Sequence, residues 1–426
     1  MTHAPSTPRT IPTPRLHDRD ARVETPSILQ RGVLRGIMSL MAGDSVRPTE
    51  AQVQAFTKLM HTCDPVADEV VAAIHGGGGA TLRGQVEQAL EEGIETVTDP
   101  HPAVAAFIAS IDDVPYWVDY DKLDLAAQAI ARTPTHTLTA LTAGIAFPAS
   151  YVSPRVNDVL LRGGELADRT AARITETVSS SIDCAAPGGM ERFGEGTKNT
   201  ARVRLVHAYI RAGIEHGGDW NPDTHGKPVN QLHYCVTMVP IIGVALGAMA
   251  AGHWYSRRER DAIIHLYRYI SHSMGVVPEL QVTSIDDLLR LTWLAAWAEV
   301  DPDESSTSLT GSTLAAAPLL YGRRVRDSRI PGLDGLLSRV HSDLARLSLG
   351  SEYADAVGIP RLSPAVALLP LIAARNLVAD RAQVALPGGP VRAARRGHRR
   401  RVRAIEDVKR RVEARRHDRT PSPAPA

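Results

Sequence analysis

A histidine set between two arginines on one helix is the most chemically suggestive feature of this 426-residue chain. The segment Thr200 to Arg211 (TARVRLVHAYIR) reads as a helix. Arg204, His207 and Arg211 fall in it at i, i+3 and i+7, so they stack on one side. At about 100° per residue, Val203, Val206, Ile210 and Ile214 form the apolar stripe, and His207 stands at its border. A neutral imidazole there can ligate a metal or carry a proton. The plainer reading is a surface-edge histidine between two solvated arginines. A second helix shifts the balance. In Thr170 to Val178 (TAARITETV), Arg173, Glu176 and Thr177 share a face at i, i+3 and i+4. Two helices that each turn arginine toward a common interior need an anion there, because unpaired buried charge is costly. Haem propionates, a substrate acid or the Glu176 carboxylate would each meet that need.

Other familiar chemistries are missing from the sequence. It contains no HExxH, no Glu-x-x-His pair and no GxSxG. Zincins, di-iron bundles and the usual nucleophile elbow are thereby disfavoured. Gly76–Gly79 lacks GxGxxG spacing and a following Lys-Ser/Thr, so it reads as a plain link rather than a phosphate loop. Cys63, Cys184 and Cys235 are scattered and form no CxxC pair. That argues against a zinc ribbon, a disulfide framework and covalent haem attachment, and for a reduced compartment. His233, two residues after Gln231, reads as a helix-start contact, and Asn230 and Gln231 as the caps of that helix. His265 and His272 read as structural, and Trp117 and Trp220 as packing anchors.

The elements that must position these groups are helices. Aromatic residues are only 4% of the chain, with four Phe, so the core is built from Leu, Val, Ile and Ala. Runs of β-branched alternation are absent, and helical periodicity continues from Ile28 to about Pro387. The spacing predicts helices near 49–75, 121–132, 164–182, 196–215, 228–251, 256–274 and 363–380, with a loop over Asp301–Ser312. The fold class expected is all-α: one large helical bundle, residues 28–387, around a buried pocket. Residues 1–27 hold five prolines and read as a disordered leader. Residues 388–426 read as a basic, largely disordered tail with a charged helix over Val402–Arg416. Residues 391–420 of that tail carry thirteen Arg and Lys against four Asp and Glu, while the whole chain sums to +1. Such a tail could contact an anionic surface or nucleic acid. No apolar run of spanning length and no secretory signal is seen, which points to a cytoplasmic protein.

The segments Val114–Asp119 (VPYWVD), Arg173/Thr177, Pro187–Gly194 (PGGMERFG), Arg204–Arg211 (RVRLVHAYIR from Arg202), Gly226–Gln231 (GKPVNQ) and Leu266–Gly275 carry a further signal. Together they resemble the latex clearing protein (rubber oxygenase) family, which includes the fungal membrane-bound oxygenases of mycophenolic acid synthesis. The resemblance covers about 100 to 280, and its pairing of RLVHAxxR with GxPxNQ is moderately specific.

The resemblance implies an all-α fold around haem b. His207 would be the proximal iron ligand, and Arg204 and Arg211 would lie near the haem or shape the ligand helix. Arg173 and Thr177 would belong to the distal helix. Where rubber-cleaving members carry a lysine directly before that threonine, this chain has Glu176, so lysine capping of iron is lost and rubber itself is disfavoured as substrate. Glu176 would ligate iron or act as a base, and Glu165 is a second candidate base. The function implied is dioxygen-dependent attack on a carbon–carbon double bond of a small apolar substrate, an isoprenoid by preference. Two other classes stay open: a non-catalytic helical interaction protein, in which Arg173, Arg204 and Arg211 only brace the fold, and a haem-based sensor.

Overall fold

Helix boundaries follow the capping residues. Thr49 with Gln52, Ser256 with Glu259 and Asp303 with Ser306 form capping boxes. Asp64, Asp119, Asn230 and Ser284 cap further helices through a side-chain oxygen. The resulting chain, a computed structural model, describes residues 27–30, 47–162, 166–321 and 332–419. Among the described residues every regular element is a helix and none is a strand, so the expected all-α class is the one observed.

The longer helices are α1 (Glu50–Lys58), α2 (Pro65–Ala73), α3 (Gly79–Glu92), α4 (Pro102–Asp112), α5 (Tyr120–Arg132), α6 (Thr135–Leu141), α7 (Pro154–Arg162) and α8 (Leu166–Cys184). They continue as α9 (Glu195–Gly217), α10 (Gln231–Gly247), α11 (Arg257–Ser273), α12 (Ile285–Glu299), α13 (Glu304–Ala316), α14 (Leu333–Ala356), α15 (Leu369–Ala385) and α16 (Gly389–Arg419). The helix expected over 49–75 is interrupted by a 3₁₀ turn at Leu59–His61 and restarts where Asp64 caps a Pro at the first helical position. That break places the Asp64 carboxylate at the head of α2. The stretch Asp301–Ser312, expected to be a loop, is largely helical because Asp303 nucleates α13. Gly76–Gly79 does turn the chain between α2 and α3, with φ of 119° at Gly77 and 42° at Gly79.

Two buried clusters organise the interior. The larger includes Leu232, Ile242, Tyr255, Ile263, Leu266 and Leu291 from α10, α11 and α12 and their approaches. The smaller joins α2, α3 and α4 through Val70, Leu90, Phe107 and Ile108. Helix α9 belongs to both, lending Ala201, Leu205 and Ala208 to the smaller cluster and Ile214 to the larger. A residue on α9 therefore sits where two cores meet. The three cysteines are buried and free, as their scatter suggested.

The C-terminal segment departs from expectation. Residues 389–419 form one helix of 31 residues, packed on α5 and α8, rather than a largely disordered tail. Ala393, Ala394, Arg401 and Val408 on its inner face are buried. Val408 joins Ala143, Ile174 and Leu320 in a small apolar cluster. Gly397 makes this approach possible: a Cβ there would stand 1.8 Å from the Ala131 carbonyl oxygen. Arg401 finds no carboxylate among the described residues. Its Nη2 donates instead to Ile130 O at 2.7 Å and Thr133 O at 3.2 Å, at the C-terminal end of α5. Those carbonyls carry the negative end of the helix dipole, which suits a cation. The proposed leader, apart from Ser27, and Glu165 lie outside the described residues.

Candidate active site

Arg204 and Arg211 settle the orientation of α9. The Arg204 Nε and Nη2 donate to the two carboxylate oxygens of Asp64 at 2.8 and 3.0 Å, and Nη1 reaches Ser110 Oγ at 3.2 Å. Arg211 donates to Asp68 Oδ1 from Nε at 2.8 Å and Nη2 at 2.6 Å, and to Val229 O at 2.9 Å. Both arginines are buried, so neither is the solvated residue of the plainer sequence reading. The anions they need are two carboxylates one turn apart, Asp64 capping α2 and Asp68 within it, so these arginines orient α9. Arg211 also holds down a strained backbone: Val229, a β-branched residue, adopts a φ of 48°.

With the arginines drawn inward, the apolar stripe read from the sequence is only partly core. Ile214 is buried, but Val203 and Ile210 are half-buried and Val206 is 50% exposed. The buried face of α9 is instead Ala201, Arg204, Leu205, Ala208 and Arg211. Ion pairing to α2 outweighs the hydrophobic stripe in setting the rotation of the helix. It leaves His207 beside an apolar strip that the described protein covers incompletely.

The His207 Nδ1 lies 2.9 Å from the Tyr234 hydroxyl, with the two rings edge-on. Burial, reinforced by the Arg211 charge and opposed by Asp64, pushes the His207 pKa down to about 4. The imidazole is neutral near pH 7. Burial also drives the Tyr234 phenol well above its ordinary value, so it stays protonated. Among the described residues nothing hydrogen-bonds to Nε2. The donor set is therefore a neutral imidazole with one nitrogen tied and the other available, as a metal-ligating histidine requires.

On α8, which packs beside α9, Arg173 is half-buried while Glu176 and Thr177 are exposed. Arg173 makes no hydrogen bond or ion pair among the described residues, although its charge is felt by the buried Tyr151 phenol. The need for an anion raised by the sequence thus narrows to Arg173. No hydrogen bond or ring contact joins Arg173, Glu176 or Thr177 to His207 among the described residues. The structure places the two sets on neighbouring helices without linking them directly.

Sequence reasoning did not find Asp64, Asp68 or Tyr234. The Asp64/Asp68 pair at i, i+4 carries the complementary charge, but nothing local matches it to a helix about 140 residues away. Asn230 does cap α10, accepting from Leu232 N and His233 N. Gln231 is instead a clamp, its side chain bonded to Cys63 O, Gly275 O and Val277 N. Trp117 packs among His265, Tyr269 and His272, under the Arg268 guanidinium. His265 Nε2 accepts from Asp119 N at 3.0 Å, and Trp220 Nε1 donates to Gly226 O at 2.7 Å.

His233 supplies a test of the buried imidazoles. Its contact is Asn230, and burial first, then the charges of Arg155, His225 and His207, push its pKa down to about 3. An unfolded histidine takes a proton near pH 6.5, so below that value the unfolded state binds more protons and stability falls with pH. Urea unfolding should show His233 contributing a loss of about 2 kcal/mol between pH 7 and pH 5. The His233→Gln variant should lack that part of the pH dependence.

The helical body and its tied, neutral His207 can now be set beside known proteins. The comparison gives the chain a family. Residues 133–379 match the family described as "ER-bound oxygenase mpaB/B'/Rubber oxygenase, catalytic domain", and the chain belongs to this oxygenase family. A solved structure of latex clearing protein in the closed state is similar in fold, with a TM-score of 0.58 at 18% identity. The similarity covers 80% of this chain and 90% of that one. No curated protein sequence matches the chain. The matched span holds His207 and Arg173 but not Asp64, Asp68 or α16.

Proposed function

We propose that the protein is a haem b-dependent oxygenase acting on a carbon–carbon double bond of a small apolar substrate, an isoprenoid by preference. The observation that carries the proposal is His207: neutral, tied at Nδ1 by Tyr234, without a partner at Nε2 among the described residues, and flanked by a partly uncovered apolar strip. A porphyrin would cover that strip and supply the remaining iron donors. Among the described residues no group of three or more His, Cys, Asp or Glu side chains is placed to hold a bare ion. The residues present fit the cofactor.

Bound haem would supply activation of dioxygen. The chain's own groups do the rest. His207 would hold the iron through Nε2, with its Nδ1–H donated to the Tyr234 oxygen to fix tautomer and ring angle. Arg173, which has no carboxylate partner among the described residues, would stabilise negative charge developing on the oxidant, and the Thr177 hydroxyl would donate a hydrogen bond there. Glu176 accepts an allylic proton. Glu165 keeps its role as the second candidate base. Dioxygen and the olefin are the partners this chemistry needs.

Absorption spectroscopy tests the reading. The full chain, expressed with ample haem supply, should show a Soret band that His207→Ala abolishes; a colourless wild type overturns the proposal. Arg173→Ala and Thr177→Ala should retain the Soret band yet lower oxygen-dependent carbonyl formation by about 10²-fold or more. Unchanged turnover in both variants would remove α8 from the chemistry.

A further inference from the structure

A cavity of about 670 Å³ opens between the start of α6, helix α15 and helix α16, away from His207. Five arginines line it, Arg132, Arg375, Arg396, Arg400 and Arg403, against the carboxylates Asp380 and Asp407. Three of these seven charges already have partners. Arg132 pairs with Glu259, Asp380 accepts from Trp254 N at 3.1 Å, and Asp407 pairs with Arg410. Arg375, Arg396, Arg400 and Arg403 make no hydrogen bond or ion pair among the described residues.

The placement of these four is built into the helices. Arg396, Arg400 and Arg403 fall at i, i+4 and i+7, so they share one face of α16. That face is fixed because the other side of α16 is seated on α5 through Gly397 and Arg401. Arg375 comes from the opposing wall on α15, which is itself held by Asn376 Nδ2 donating to Ala251 O at 2.9 Å. Four unpaired cations around one concavity repel one another, and a bound anion relieves that repulsion. Guanidinium forks match phosphoryl oxygens two at a time, and four forks exceed what one carboxylate can engage. Pro134, Leu320, Ala379 and Ala404 line the same space and offer apolar surface beside the forks.

We propose that this cavity binds a ligand carrying at least two phosphoryl charges, such as a diphosphate or a phosphate monoester cluster. The inference does not rest on haem or on the oxygenase reaction. One shared chemistry has two sources here. The ligand is soluble, or it is the headgroup of an anionic lipid, since the outward face of α15 beside the cavity leaves Leu371 67% and Val378 71% exposed.

Two probes separate the sources. Calorimetric titration of the full chain with inorganic pyrophosphate tests the soluble source. Co-sedimentation with phosphatidylcholine vesicles, pure or mixed with phosphatidic acid, tests the lipid one. Arg396 and Arg400 are exposed, so Arg396→Gln/Arg400→Gln should fold normally. It should weaken binding to whichever probe responds by about tenfold or more. Arg399→Gln, on the same helix but outside the cavity, should change it by less than about twofold. Binding of either probe with that pattern supports the site, and the responding probe identifies the source. Failure of both probes to bind, or equal weakening in Arg399→Gln, overturns it.

Discussion

Arg204→Ala is expected to destabilise the protein by about 3–5 kcal/mol, because it strands the buried Asp64 carboxylate without its partner. Both side chains are about 95% buried, and the pair is bidentate. The loss should appear as a lower urea midpoint with an unchanged slope. The control is Asp64→Leu/Arg204→Met, which removes both charges and fills similar space. It should recover most of the loss, since a paired charge replaced by apolar packing is often neutral. If the double variant is as unstable as Arg204→Ala, the ion pair is not what orients α9. His207 lies one turn from Arg204, so under the proposed function Arg204→Ala should also diminish the Soret band.

Removing α16 should have the second large effect. A chain ending at Leu386 loses the cover over Ala143, Ile174 and Leu320 and the cation on the last carbonyls of α5. It should be recovered mainly as insoluble protein, whereas deletion of a free basic arm would leave the body intact. Gly397→Ala offers a finer probe. Its Cβ would overlap the Ala131 carbonyl, and the forced separation of α16 from α5 should cost about 1–3 kcal/mol. A thermal midpoint unchanged in Gly397→Ala would contradict the close seating of the two helices.

The helical class was legible because it is written locally, in periodicity, and a short motif singles out His207 for the proposed site. Helix starts were less so: Asp303 and Asp64 act through caps that composition alone assigns to loops or to helix interior. The rotation of α9 was illegible for a different reason. Val203, Val206 and Ile210 mark a hydrophobic face, but Arg204 and Arg211 turn the helix by pairing with Asp64 and Asp68, distant in sequence and outside the family-matched span. The seating of α16 was hidden by its composition. Thirteen basic residues read as solvated until Gly397, Ala393, Ala394 and Val408 are seen to line up on one side, with Arg401 Nη2 donating to main-chain carbonyls.

The contact between Arg401 and Ile130 joins residues 271 apart in the chain. Helix α5 therefore waits for a segment 271 residues further along to be made before its surface is closed. Such late, long-range contacts slow folding and leave apolar surface open in the meantime. Helix α16 acts as a late fastening of the bundle. A nascent chain stalled before residue 389 should be a substrate for chaperones, while the released protein should not.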